Sequence, residues 1–136
     1  MKRLIFAAAL AAGGLPVSAQ QFTEAEQVRP ILEATRGNWV AIREFGGKDL
    51  LYFTHLLAWR CGLDRIEFAL NDAEEFTEWP MPECRMDTAT PASILEGDPV
   101  YATLPIWNVG QVRIRLTYDD GTISEQSYER AMIQID

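Results

Sequence analysis

Gln111-Val-Arg-Ile-Arg-Leu-Thr-Tyr118, then Asp119-Asp120-Gly121, then Thr122-Ile-Ser-Glu-Gln-Ser-Tyr128, is the stretch that decides the fold class. Val112, Ile114, Leu116 and Tyr118 alternate with Gln111, Arg113, Arg115 and Thr117, the period of two of a strand with one face in a core. Asp119-Asp120-Gly121 is a hairpin turn, its glycine free to take the left-handed conformation. A three-residue loop sets Tyr118 opposite Thr122 and Arg115 opposite Glu125, an exposed opposite-charge pair worth about 0.2–1 kcal/mol. A two-residue loop would set Arg115 against Gln126. The chain reads as antiparallel β.

Working outward, the same alphabet repeats. Val100–Trp107 is a strand that Pro105 places near an edge or a bulge, and Asn108-Val109-Gly110 turns it into Gln111–Tyr118. Ile66, Phe68 and Leu70 face in while Arg65, Glu67 and Ala69 face out. Asn71-Asp72 is a turn, and Glu75–Trp79 returns as a short strand. Trp79-Pro80-Met81-Pro82 must be extended, and Glu83–Asp98 is a long loop. Leu50–Arg60 is apolar on both alternating faces, as suits a central strand covered on both sides. A helix is its rival, because Leu50, Phe53, Leu57 and Cys61 also fit helical spacing with Gly62 beyond. Tyr52-Phe53-Thr54 favours the strand. Asn38–Phe45 is a strand ending at Gly46-Gly47, and Thr122–Ile135 is one strand or two, interrupted near Ser127.

About seven strands with turns every eight to twelve residues predict a single antiparallel β-sandwich of immunoglobulin-like type over residues 20–136. Ahead of it, residues 23–36 predict a short helix with a Thr23/Glu26 capping box, Pro30 kinking or restarting it, and Gly37 at its end.

The first 19 residues have the three parts of a secretory signal. Lys2 and Arg3 precede an uncharged apolar run from Leu4 to Leu15, Pro16 breaks it, and Val17-Ser18-Ala19 offers a peptidase site. Twelve apolar residues are too few to span a bilayer, so the expected product starts at Gln20, is periplasmic or secreted, and has no membrane insertion after cleavage. The whole chain carries a formal charge of −8, and losing Lys2 and Arg3 takes it to about −10. Such a charge disfavours nucleic acid and anionic lipid as partners. Cys61 and Cys84, an even count in an exported domain, predict a structural disulfide that constrains the unfolded chain by about 3 kcal/mol.

Asp49-Leu-Leu-Tyr-Phe-Thr-His-Leu-Leu-Ala-Trp-Arg-Cys-Gly-Leu-Asp-Arg-Ile-Glu-Phe-Ala-Leu-Asn71, together with Leu116-Thr-Tyr-Asp-Asp-Gly121, resembles an uncharacterised family of small exported proteins of Gram-negative bacteria. The likeness covers most of the chain after residue 19. It implies export and a β domain, and it brings no activity and no functional residue.

The residues themselves offer little chemistry. His55 is the only histidine, it lies in the most apolar stretch, and no Gly-x-Ser-x-Gly elbow accompanies it, so a packed, hydrogen-bonded histidine is expected. Asp72, Glu74, Glu75 and Glu78 fall on a hairpin tip, where solvated charge belongs. Asp87, Glu96, Asp98, Asp119 and Asp120 lie in loops without the spacing of a calcium site. Trp39 and Trp59 read as core, Trp79 and Trp107 as nearer strand ends and open to exposure. Arg113 and Arg115 form one basic face, neutralised by acids across the sheet. No catalytic, cofactor-binding or metal residue is assigned and no cofactor is implied. By elimination the expectation is a non-enzymatic exported domain that binds a protein or envelope component. The alternative is a small periplasmic hydrolase, or an inhibitor of one, working through acidic loop residues. The loop 83–98 separates them: an enzyme needs it folded over converging carboxylates.

Overall fold

The computed structural model describes residues 22–135; the expected signal over 1–19 and the start at Gln20 lie outside them. The chain opens with helix α1 (Ala25–Ala34) and a 3₁₀ turn, Arg36–Asn38. Then come β1 (Ala41–Phe45), β2 (Lys48–Tyr52), α2 (Thr54–Ala58), a second 3₁₀ turn (Arg60–Gly62), β3 (Leu63–Leu70) and β4 (Thr77–Glu78). After a long loop follow β5 (Tyr101–Pro105), β6 (Gln111–Tyr118), β7 (Ile123–Glu129), α3 (Arg130–Ile133) and β8 (Gln134–Ile135). The fold is mainly β: eight strands in two sheets, the first ordered β5-β2-β1-β8 and the second β4-β3-β6-β7. Every pairing is antiparallel except β1 with β8.

Both sheets turn apolar residues into one core. Ile42 and Leu51 come from the first sheet, Ile66, Val112, Ile114 and Leu116 from the second, and Val28 and Leu32 from α1, all fully buried. Each such side chain is worth about 1.5–3 kcal/mol when removed from water. The β6–β7 hairpin has the three-residue register: Arg115 faces Glu125, and the Tyr118 N–H donates to the Thr122 carbonyl at 2.8 Å. Gly121 sits at φ +86°, as that loop requires. Cys61 and Cys84 are bonded, with Cα atoms 5.5 Å apart, which fits an oxidising, exported environment. No helix among the described residues is long and apolar enough to cross a membrane.

Several expectations need correcting. Leu50–Arg60 is not one strand: β2 ends at Tyr52 and the rest is α2 and a 3₁₀ turn. The chain here leaves the first sheet for the second, and a helical turn, with Leu56 and Leu57 buried beneath it, makes that crossing. The capping box is Glu24 with Gln27, not Thr23 with Glu26, and the Gln27 side chain accepts the Glu24 N–H at 3.1 Å. The helix runs through Pro30 and is capped at Thr35; Gly37 belongs to the following 3₁₀ turn. The last segment breaks at Arg130, where α3 intervenes, rather than near Ser127. Ala69 is buried although the alternation pointed it outward; Phe76, folded back over Arg113 and Arg115, lies on that face.

Candidate functional site

On the outer face of the first sheet, β1, β2 and β5 set out a grid of nine side chains in three rows, with Ile135 of β8 beside Arg43. Register aligns Ala41 with Tyr52 and Tyr101, Arg43 with Leu50 and Thr103, and Phe45 with Lys48 and Pro105. Their neighbours along each strand, Ile42, Leu51 and Asp49, point the other way and are fully buried. The grid is centred on Leu50, which is itself buried. It holds two cations and no acid, in a chain with 20 acids. Arg43 lies 4.5 Å above the Phe45 ring, and the Tyr52 and Tyr101 rings meet at 5.3 Å. Among the described residues neither Arg43 nor Lys48 has a carboxylate within salt-bridge distance. Phe45 is 58% and Tyr101 47% exposed. Exposed aromatics beside unpaired cations are what a polar-rimmed binding surface offers.

One corner of the grid deepens into a groove of about 460 Å³, lined by Trp39, Ala41, Arg43, Tyr52, His55 and Ile135 among others. His55 stands on α2 and not on a strand, half-buried. Its Nε2 lies 3.0 Å from Thr35 Oγ1, while that hydroxyl donates its one proton to the Ile31 carbonyl at 2.7 Å. Nε2 is therefore the protonated nitrogen, and Nδ1 remains as an acceptor. Burial holds the imidazole below its usual pKa, so the ring is neutral at pH 7.

The outer face of the second sheet is different in kind. Arg115 pairs with Glu67 at 3.1 Å and lies 3.8 Å from Glu125, and Phe76 stacks on its guanidinium at 4.1 Å. Arg113 donates to the Ala73 carbonyl. That face satisfies its own charges, with help from the preceding strand as well as the following one.

The loop acids named from the sequence fall in separate places, except that Asp119 and Asp120 share a polar depression with Glu24 and Glu26. Asp72, Glu74, Glu75 and Glu78 are exposed on the β3–β4 connection and β4. Asp98 is held by Arg85 and Asp120 by Arg29. Asp119 borders a polar depression with Glu24 and Glu26, and burial, with Asp64 and Asp120 nearby, raises its pKa. Among the described residues no group of three or more His, Cys, Asp or Glu could hold a metal ion. Of the tryptophans, Trp39 is buried, Trp59 half-buried and Trp107 exposed. Trp79 is buried, contrary to its position near a strand end, because it stacks on Phe53 at 4.1 Å.

Two buried charged residues are structural. Arg60 is 1% exposed and meets no carboxylate; it donates to the carbonyls of Leu57, Pro82, Glu83, Ala92 and Ser93 at 2.8–3.2 Å. With the adjacent disulfide it pins the long loop down over a cavity of about 360 Å³ lined by Phe22, Trp59, Pro91 and Ile94 and by no acid. Asp49, fully buried, takes two 2.8 Å bonds from Arg130 and a third from the Val109 N–H at 3.3 Å. It thereby ties β2 to the β5–β6 turn and to α3. These contacts hold the carboxyl at about 2.

Sequence reasoning did not single out Arg43, Tyr52 or Tyr101. Alternation along Ala41–Phe45 carries the signal for Arg43, but nothing local says that its row continues to residues 50 and 103. Comparisons with known proteins leave the site to its own chemistry: no family model, no curated protein and no solved structure matches this chain.

Proposed function

We propose that this chain is an exported, non-enzymatic domain of immunoglobulin-like β-sandwich type that binds a protein or envelope component across the outer face of its first sheet. The observation that carries the reading is the grid itself: nine residues on an acidic chain, with no acid among them and neither cation paired with a carboxylate among the described residues. Fixed aromatic and arginine side chains on rigid strands are the usual anchors of recognition. The partner surface is apolar with carboxylates opposite Arg43 and Lys48. Two cations are too few for nucleic acid.

Strand order supports the finer fold type. With β1 to β7 taken as A, B, C, C′, E, F and G, the sheets run E-B-A and C′-C-F-G, compatible with the immunoglobulin plan. The cavity under the 83–98 loop has an apolar lining, which favours binding over hydrolysis. The disulfide supports a periplasmic or secreted location.

The test is capture from the envelope extract of the source cell with three forms: wild type, Arg43→Glu, and Glu125→Lys on the opposite sheet. A partner held by wild type and by Glu125→Lys but lost with Arg43→Glu is expected. A partner set indifferent to Arg43→Glu would overturn the assignment to this face.

A further inference from the structure

We infer that β5 is a self-pairing edge, through which two copies of this chain join antiparallel about Ala102. The argument begins with the hydrogen-bond parity of the first sheet. Gly46 and Gly47, at φ +62° and +74°, make a two-residue turn that leaves Phe45 and Lys48 as a hydrogen-bonded pair. Lys48, Leu50 and Tyr52 thus spend their main-chain bonds on β1, and Asp49, Leu51 and Phe53 spend theirs on the β5 side. The Phe53 N–H donating to the Val100 carbonyl at 2.8 Å agrees. Val100, Ala102 and Leu104 therefore bond inward, and the odd-numbered residues of β5 turn their main-chain groups to the open edge.

Those outward positions are Pro99, Tyr101, Thr103 and Pro105. The two prolines have no N–H, so the edge offers two free donors, Tyr101 and Thr103, and no other described residue hydrogen-bonds to them or to their carbonyls. The Pro105 carbonyl is already taken by the Asn108 N–H at 3.0 Å. The segment Pro99-Val-Tyr-Ala-Thr-Leu-Pro105 is thus symmetric about Ala102 in what it can donate. An antiparallel second copy centred there sets Tyr101 against Thr103 twice over, four hydrogen bonds that consume every free donor and the Tyr101 and Thr103 carbonyls and leave the Pro99 carbonyl to solvent. Centring on Thr103 doubles the load on the Pro105 carbonyl, and centring on Tyr101, which also makes four bonds through the Pro99 carbonyl, sets Asp98 against the partner copy's Leu104.

The side chains agree with that register. Val100 meets the partner copy's Leu104, two half-buried apolar residues at the rim of the core, and small alanines meet at the centre, where strands approach most closely. No charge lies between Pro99 and Pro105. Edges left this way invite pairing, and the other three are shorter or crossed by a charged side chain. β4 and β8 are two residues long, and β7 is met by Arg36, which donates to the Glu125 carbonyl at 2.9 Å. The occupant is a second copy because the edge is its own complement. The prolines then limit the contact to one closed pair, not a filament. The pairing uses main-chain groups of Tyr101 and Thr103, whose side chains belong to the grid, whereas the partner reading uses the side chains, so either can fail without the other.

Sedimentation equilibrium and cysteine cross-linking of the chain, its Cys61–Cys84 bridge intact, test this together. Between about 1 and 100 μM, a range that populates a modest isologous contact, wild type is expected to shift from one chain mass to two. Thr103→Pro removes half of the four bonds and should stay at one chain mass. Its lost N–H faces solvent, so its melting at low concentration should match wild type. Ala102→Cys should cross-link to itself, since Cα atoms at a non-hydrogen-bonded pair lie about 4.5 Å apart, within disulfide reach. Pro105→Cys should not, its copies being about 20 Å apart along the strands. A wild type that stays monomeric throughout overturns the inference, as does cross-linking through residue 105 as ready as through 102.

Discussion

Replacing Arg60 by methionine keeps the volume and the apolar stem of the side chain while removing all five donors. The Leu57 carbonyl lies in a buried bond, and the other four acceptors are partly buried. An orphaned buried carbonyl costs about 1–3 kcal/mol, and each carbonyl that trades a guanidinium for water loses about 0.5–1. Against that stands the cost of burying the charge, visible in the lowering of the Arg60 pKa by desolvation; its relief returns part of the loss. The net expectation for Arg60→Met is a loss of about 3–5 kcal/mol. Arg60→Lys supplies three donors without the planar fork and should lose about 1–2 kcal/mol. Urea unfolding followed by tryptophan fluorescence gives the stability, and limited proteolysis within 83–98 reports whether the loop has lifted. Arg60→Met unfolding within about 1 kcal/mol of wild type, with the loop still protected, would refute the claim that main-chain carbonyls hold it.

Three further expectations are independent of that one. Cys61→Ser with Cys84→Ser should lower stability by about 2–5 kcal/mol; melting unchanged under oxidising conditions would show the bridge to be idle. Asp49 has a folded pKa of about 2 against an ordinary 3.8, so its contribution, about 2 kcal/mol, is present above pH 4. It should fade as pH falls from about 4 to 2, and Asp49→Asn should flatten that limb of the stability–pH curve measured by urea titration. Gly62→Ala places a Cβ 2.4 Å from Val28 Cγ2 and 2.9 Å from the Glu24 carbonyl. The start of α1 must then move away, and a drop of about 1–3 kcal/mol in the same assay is expected.

What was legible in the sequence was local or covalent. The β6–β7 register followed from Asp119-Asp120-Gly121 because loop length fixes pairing. The edge position of β5 followed from Pro105, whose missing donor needs an open side. The disulfide followed from the even cysteine count and the expected export. Leu50–Arg60 misled because a chain crossing between sheets is apolar all round in either conformation, and periodicity does not separate a buried turn of helix from a buried strand there. The proposed binding face was hidden for another reason. Its rows join residues 41–45, 48–52 and 101–105, and only tertiary pairing shows that three modest half-strands add up to a surface without an acid. Arg60 was equally silent: a lone arginine in an apolar run does not reveal that four of its five partners are carbonyls 22 to 33 residues away.

The manner in which Arg60 grips the long loop also bears on what that loop can become. A guanidinium that recognises carbonyl oxygens recognises something every amino acid carries, so the grip at positions 82, 83, 92 and 93 is indifferent to the side chains there. Cys84 is fixed by its bond and Arg85 by its pairing with Asp98, whereas Met86 to Thr90, all exposed, enter neither fastening. The domain thus holds a segment whose attachment is written in the main chain and whose lettering is free. A library randomised over Met86–Thr90 should fold as the parent does, making the loop a place where new specificities can be installed without reopening the question of stability.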